Sequence, residues 1–263
     1  ADLDVLNRDI PRVDGPAMAT GRAGYTHEVR EPGMLWAKLL LHPVPRAIVE
    51  SIDVSAAEAI PGVAYAAALK EPGDPVRYSG DDSVLAVVAA ETPEIAEDAL
   101  RAIVVEVENE APVVTPEQAR ADGAPLVNLR RNAQSNVGRA NERGSREAVE
   151  ALLESAAAVV EPTYEIPIQH HVCLETHGHV VQPGGEDGEV VVYASTQAVS
   201  GMPRALAGAF ERSADEIRVL TPHMGGGFGS KFSPGREGLI VAQVARATGR
   251  PVHLMLSRSN EFQ

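Results

Sequence analysis

The chain has 263 residues, 44% apolar and 23% charged, long enough for two ordinary domains or for one large one with a substantial core. Its formal charge of −14 argues against a nucleic-acid-binding face, because neutralising phosphates takes clustered cations and the 23 Lys and Arg are scattered. One cysteine, Cys173, supports neither an internal disulfide nor a thiolate cluster, and no apolar run reaches the about 18 to 20 residues that cross a bilayer. ADLDVLNRD carries no leader pattern, which makes the cytoplasm the default compartment and the periplasm the alternative.

Residues 1–33, rich in Gly, Pro and charge, predict an extended lead-in. MLWAKLLLH (34–42) is an apolar run of strand length, AIVESIDVS (47–55) alternates as a half-buried strand, and AAEAI before Pro61 and Gly62 predicts a short helix. The clearest unit spans 83–108. SVLAVVAA is a buried strand, Thr92-Pro93 supplies an N-cap with proline at the first helical position, and Ile95, Ala96, Ala99, Leu100 and Ile103 recur at helical spacing before IVVEVE alternates again. These segments predict a compact α/β domain over 34–112.

The polar, Pro- and Gly-punctuated stretch 113–144 predicts a linker to a second domain over 145–263. That domain opens with a helix from Ser145 presenting Ala148, Val149, Leu152, Leu153 and Ala156 on one face. Strands are predicted at VVEPTYEIP (159–167), HVVQP (179–183) and EVVVYAST (189–196), then a helix over 199–210. A strand EIRVLTP leads into HMGGGFGSKF (223–232), and a helix EGLIVAQVARATG and a strand PVHLMLS follow. No repeat of fixed period appears. Because SRSNEFQ follows that strand directly, the second domain is expected to be completed by further sequence or by another chain.

HMGGGFGSKF sets four glycines around one phenylalanine. A Walker A loop fails on Ser230 and Phe232, a dinucleotide fingerprint fails on Ser230, and a kinase-like loop lacks its partner motifs. The plainest alternative is a tight turn in which the glycines supply positive φ. So many in so few positions favour instead a loop whose backbone N–H groups face an anion or an oxo ligand. His170, His171, Glu175, His177 and His179 form the densest set of metal-ligating types, yet nothing completes a zinc shell around them. Ser195 and His223 suggest a catalytic triad only on paper, without a G-x-S-x-G elbow.

GGGFGSK resembles the GGGFGGK loop of the molybdenum hydroxylases, the xanthine dehydrogenase and aldehyde oxidase family. ASTQ (194–197) is similar to the family's STQ segment and keeps its spacing to Phe228, and HHVCLET (170–176) resembles its H-x-x-x-E segment. PRVDGPAMATGRAGYT and VRYSGDDSVLAVVAAETPEIAEDALRAIVVE resemble the opening of the molybdenum subunit and the core of its hammerhead domain, so the likeness covers nearly the whole chain. It implies an α+β fold: an α/β hammerhead domain followed by the first part of a mixed α+β molybdopterin-binding domain.

The resemblance also implies roles. Gln197 would hydrogen-bond an oxo ligand on molybdenum, Phe228 would stand beside metal and substrate, and Phe228 and Gly229 would offer backbone N–H groups, with Gly226 and Gly227 giving clearance. Neutral donors of this kind hold an oxo group without protonating it. Lys231 would lie at the start of the following helix, where a solvated lysine is the plainer reading, while His171 and Glu175 would be buried scaffold. None of these residues would bind the metal directly. The implied cofactor is molybdopterin with molybdenum, in its cytosine dinucleotide form, with [2Fe–2S] and FAD on partner domains or subunits. The implied partners are a chain carrying the C-terminal molybdopterin-binding half, an iron–sulfur subunit and often an FAD subunit.

The implied activity is oxidation of an aldehyde or N-heteroaromatic substrate with water as the oxygen source. Phe232 stands where purine-oxidising members carry glutamate, which disfavours purines. The family's catalytic glutamate lies far toward the C-terminus, so activity is expected only with a partner chain or a missing C-terminal half. The alternatives are a structural or assembly subunit of the same fold without molybdenum, and a nucleotide-binding α/β domain.

Overall fold

The structure, a computed structural model, describes residues 8–77, 83–127, 135–138, 143–184 and 188–262. Residues 78–82 of the hammerhead-like stretch, 128–134 and 139–142 of the expected linker, and the ends 1–7 and 263 lie outside the described residues. The chain divides into two compact units, one of residues 1–111 with 171–263 and one of 112–170.

In the first unit the lead-in contains a short helix, α1 (Gly15–Ala19), rather than being extended throughout; Pro16 in its first turn fits the helical φ and has no N–H to leave orphaned. The strands are β1 (Leu35–Leu41), β2 (Arg46–Asp53), β3 (Val63–Ala68), β4 (Pro75–Arg77), β5 (Val84–Ala90), β6 (Val104–Asn109), β7 (Gly178–Gln182), β8 (Val190–Ala194), β9 (Ile217–Leu220) and β10 (Val252–Met255). Between them lie α2 (Ser55–Glu58) and α3 (Pro93–Ala102), and later α6 (Met202–Phe210) and α7 (Gly235–Thr248). The second unit holds α4 (Pro116–Arg120) and α5 (Arg146–Glu154).

Seven strands form one sheet in the order β3-β5-β1-β10-β7-β8-β9, and β4-β2-β6 form a three-stranded sheet. Every residue of β5 is buried: Val87 and Ala89 join the core under α6 and α7, while Ala86 and Val88 pack with Ala99 of α3. A strand covered on both faces reads as a continuous apolar run, which is why SVLAVVAA is so plain in the sequence.

Three expectations change. The boundary drawn near residue 112 does not divide the large sheet, because β1 pairs in parallel with β10, Leu35 opposite Val252. A pairing so distant in sequence leaves no trace in local periodicity. The same contact places β10 between β1 and β7. VVEPTYEIP forms no strand; Val160, Tyr164 and Ile166 alternate correctly but are exposed, and β propensity without an adjacent strand yields no ladder. The apolar face of α5 is also uncovered, since the helix has no buried residue.

Within the first unit, register brings three loops to one end of the sheet. β8 and β9 are parallel, so Ser195–Gln197 after β8 and the glycine loop after β9 leave from neighbouring carboxyl ends. β7 runs antiparallel to β8 with His179 opposite Ala194, so residues 173–177, just before β7, arrive at the same place. The crevice beyond the carboxyl ends of parallel strands is where α/β sheets characteristically place ligands.

Candidate functional site

The glycine loop and the Ser195–Gln197 segment are laced together. Thr196 Oγ1 and Gln197 N donate to Lys231 O at 3.0 and 2.8 Å. In return Gln197 Oε1 accepts from Gly229 N at 3.0 Å and Lys231 N at 3.3 Å. Backbone N–H groups can only donate, so the oxygen of this amide must face the loop. Its Nε2, a double donor, therefore points away from the loop on an exposed residue.

The close approach needs the missing side chains. A Cβ on Gly227 would stand 2.4 Å from Gln197 Oε1, and one on Gly225 would stand 2.5 Å from Glu175 Cβ. Gly226 and Gly229 take φ of 103° and 100°. Phe228 itself is held at φ 48°, an outlying conformation for a bulky residue; the residue is 72% exposed, with its ring beside Gly226. Strain retained in this way concentrates at functional sites.

The N–H of Gly229 is turned to Gln197 rather than outward, so its part in the loop is to hold the amide. Gly225 N donates to Glu175 Oε2 at 2.8 Å. The N–H groups of Gly226, Gly227 and Phe228 have no acceptor among the described residues. Around the position of a Gly229 Cβ there is open space. Uncharged donors around an open cradle fit an anionic or oxygen-rich group.

Beneath the loop lies a polar network that sequence reasoning missed in part. Lys231, expected at the surface, has no exposed area. Its Nζ donates to Glu175 O at 2.7 Å, Thr176 O at 3.5 Å and Ser195 Oγ at 2.6 Å, which uses all of the ammonium's hydrogens. Burial pushes its pKa below lysine's usual range, and the attraction of Glu175 opposes that fall. Ser195 Oγ passes on a hydrogen bond to Glu175 Oε2 at 2.9 Å, so this serine is engaged in the scaffold and has no triad geometry. His223 bonds instead to Gly24 O.

Of the histidine-rich stretch, Glu175 is buried, as expected, and Cys173 is buried with it, but His171 is exposed. His177 bonds to Glu261 and His179 to Pro234 O, so neither is directed at a shared centre. Arg258 Nη2 donates to Cys173 O and Leu174 O, while Nη1 meets Glu261 Oε2 at 2.8 Å. Arg258 and Glu261, just after β10, thus fasten the 173–177 loop. The only sign of them in the sequence is a basic and an acidic residue three apart after a strand.

His179 is buried against α7, with Nε2 2.9 Å from Pro234 O and a Gly238 Cβ position only 2.7 Å away. Desolvation lowers its pKa to about 4, against the raising effect of that hydrogen bond, so the neutral ring donates to the helix start. A cavity of about 380 Å³ lined by Trp36, His253, Lys38 and Glu97 shares no residue with the cradle. Among the described residues, no helix is long and apolar enough to cross a membrane.

A family model described as a molybdopterin cofactor-binding domain matches residues 130–263. The chain is 35% identical to a probable xanthine dehydrogenase subunit of Bacillus subtilis (strain 168), covering 96% of this chain and 35% of that one. It is 28% identical to the aldehyde oxidoreductase molybdenum-binding subunit of Escherichia coli K12, covering 97% and 35%. The quinoline 2-oxidoreductase structure from Pseudomonas putida 86 superposes with a TM-score of 0.84 at 27% identity, over 96% of this chain and 34% of that one. The chain therefore spans about a third of the length of these two relatives.

Proposed function

We propose, from the premise that this chain belongs to the molybdopterin-binding large subunits of the xanthine dehydrogenase and aldehyde oxidoreductase family, that it forms the part of a molybdenum hydroxylase that cradles the cofactor. When bound, molybdopterin in its cytosine dinucleotide form supplies the redox centre at which an aldehyde or N-heteroaromatic C–H is exchanged for C–OH with water as oxygen source, the electron pair leaving toward [2Fe–2S] and FAD groups on partners and the protons going to solvent.

The observation that carries this reading is the convergence of the Gln197 amide with the glycine loop. Gln197 Nε2 and the N–H groups of Gly226, Gly227 and Phe228 would hold the group from this side. Gly229, at positive φ, would keep the amide of Gln197 turned so that its nitrogen faces outward. Phe228, strained and exposed, would form an apolar wall next to the reacting carbon. Phe232 follows Lys231 where a purine-binding carboxylate would be needed, which supports an apolar substrate.

The catalytic glutamate would come from sequence that this chain does not span, as would partners for the uncovered apolar residues of 145–174. The reading is tested with the intact protein in ¹⁸O-labelled water. The oxidised product should carry the label, and Gln197→Ala should lower kcat by about 10² to 10³ while molybdenum stays bound. Oxygen drawn from O2 instead of water, or an undiminished kcat in that variant, would refute it.

A further inference from the structure

We propose that Glu175, Ser195 and Lys231 are positioning residues, a buried carboxylate–hydroxyl–ammonium relay that sets the distance between the glycine loop and the Gln197 amide before any cofactor is bound. The inference rests on the cradle reading above in assigning a purpose to the relay, but the geometry belongs to this chain alone.

Glu175 grips Gly225 at two points. Its backbone N donates to Gly225 O at 3.2 Å, and its Oε2 accepts from Gly225 N at 2.8 Å. That same oxygen takes the hydrogen of Ser195 Oγ, which in turn accepts from Lys231 Nζ. Ser195 begins the segment that ends in Gln197, and the backbone of Lys231 meets Thr196 and Gln197 directly. The relay therefore joins the first residue of the glycine loop to the lysine that closes it, passing through the segment that carries the amide.

A lysine following a glycine-rich loop ordinarily invites assignment as an anion ligand. Here its ammonium is turned inward and has its acceptors already, so it acts on the loop from beneath. Glu175 is 8% exposed, and its Oε1 is buried without a partner among the described residues. A buried acceptor of this kind is costly in isolation and is tolerated where the carboxylate has another task. The positive charge beside it and the two donors on Oε2 define that task as holding Gly225.

The test uses the intact protein that carries this chain, with Lys231→Met, Glu175→Gln, the double variant and Ser195→Ala. The readout is amide hydrogen exchange of Gly225, Gly229, Ser230 and Lys231, the loop amides with acceptors in this chain, compared with that of β5. Losing a charged hydrogen-bond partner should speed loop exchange by roughly 10- to 100-fold in Lys231→Met and leave β5 unchanged. The double variant should recover part of that protection, because removing both charges leaves neither one stranded. Ser195→Ala, the mildest change, should give about a tenfold effect in the same residues.

Loop exchange at the parent rate in Ser195→Ala and Lys231→Met, or a double variant whose loss is the sum of the single losses, would overturn the relay. Those four amides are bonded within this chain, so their exchange is measurable with or without bound molybdenum. A protein without the metal would thus sink the cradle reading while leaving this result to stand or fall by itself.

Discussion

Helices α3 and α5 start alike and end differently. Thr92 Oγ1 caps α3 by accepting from Ile95 N at 3.2 Å, and Ser145 Oγ caps α5 by accepting from Ala148 N at 3.3 Å. Both carry an apolar stripe. Ala96 and Ala99 of α3 are fully buried, and Ala99 packs with Ala86 and Val88 of β5, whereas Val149, Leu152 and Leu153 of α5 remain exposed. An apolar period states that a helix has a face to cover; it does not say that the cover lies in the same stretch of chain. The family's greater length supplies room for one, since this chain spans 35% of the Bacillus subtilis relative.

The sharpest way to break that contrast is to cut matching side chains from the two regions. Leu35→Ala, at a position of β1 with no exposed area, should cost about 3 to 5 kcal/mol in denaturant unfolding through lost transfer energy and a residual cavity. If Leu35→Ala left the unfolding midpoint in place, the sheet would not be the core described here.

Acid should act on the same buried region. His179 and His253 are held at about 4, below histidine's 6.5, chiefly by desolvation. Between pH 6.5 and 4 the unfolded chain binds protons that the folded one refuses. Their contribution is therefore complete above 6.5 and is lost as pH falls through that window, about 3 kcal/mol for each ring. Replacing His179 with Gln should flatten that part of the stability–pH curve, which equilibrium unfolding across the window would reveal.

Smaller effects separate the cradle from its support. Gly225→Ala drives a Cβ into Glu175 Cβ, an atom fixed close to the backbone, and should cost about 1 to 3 kcal/mol in thermal unfolding. Gly227→Ala meets the Gln197 side chain from Cγ to Oε1, which can swing aside. Stability should then fall by less than about 1 kcal/mol while kcat drops sharply, a split that a stability scan and kinetics on one preparation would expose. The smallest change belongs to α5: with the present residues alone, Leu152→Ala should shift stability by no more than about 0.5 kcal/mol.

The sequence made legible what depends on near neighbours. β5, the proline-started and threonine-capped α3, the long α7 and the glycine loop all stand where local pattern placed them. Pairing between β1 and β10 was hidden because nothing within either strand records a partner so far along the chain. In the site, the glycines marked a close backbone approach, and the likeness to a known family pointed to Gln197. The inward turn of Lys231 was not readable, since a lysine's burial depends on acceptors from Glu175, Thr176 and Ser195 that only folding assembles. For the same reason the role of Gly229 changed from outward donor to clamp on the amide.

Elemental and pterin analysis of the intact protein bears most directly on the central claim that the Gln197 amide and the glycine loop together hold a molybdenum cofactor. Stoichiometric molybdenum with its pterin is the predicted result, and release of both on Gly229→Val without loss of the fold would tie them to this loop. A folded, fully assembled protein that contains neither would contradict the account.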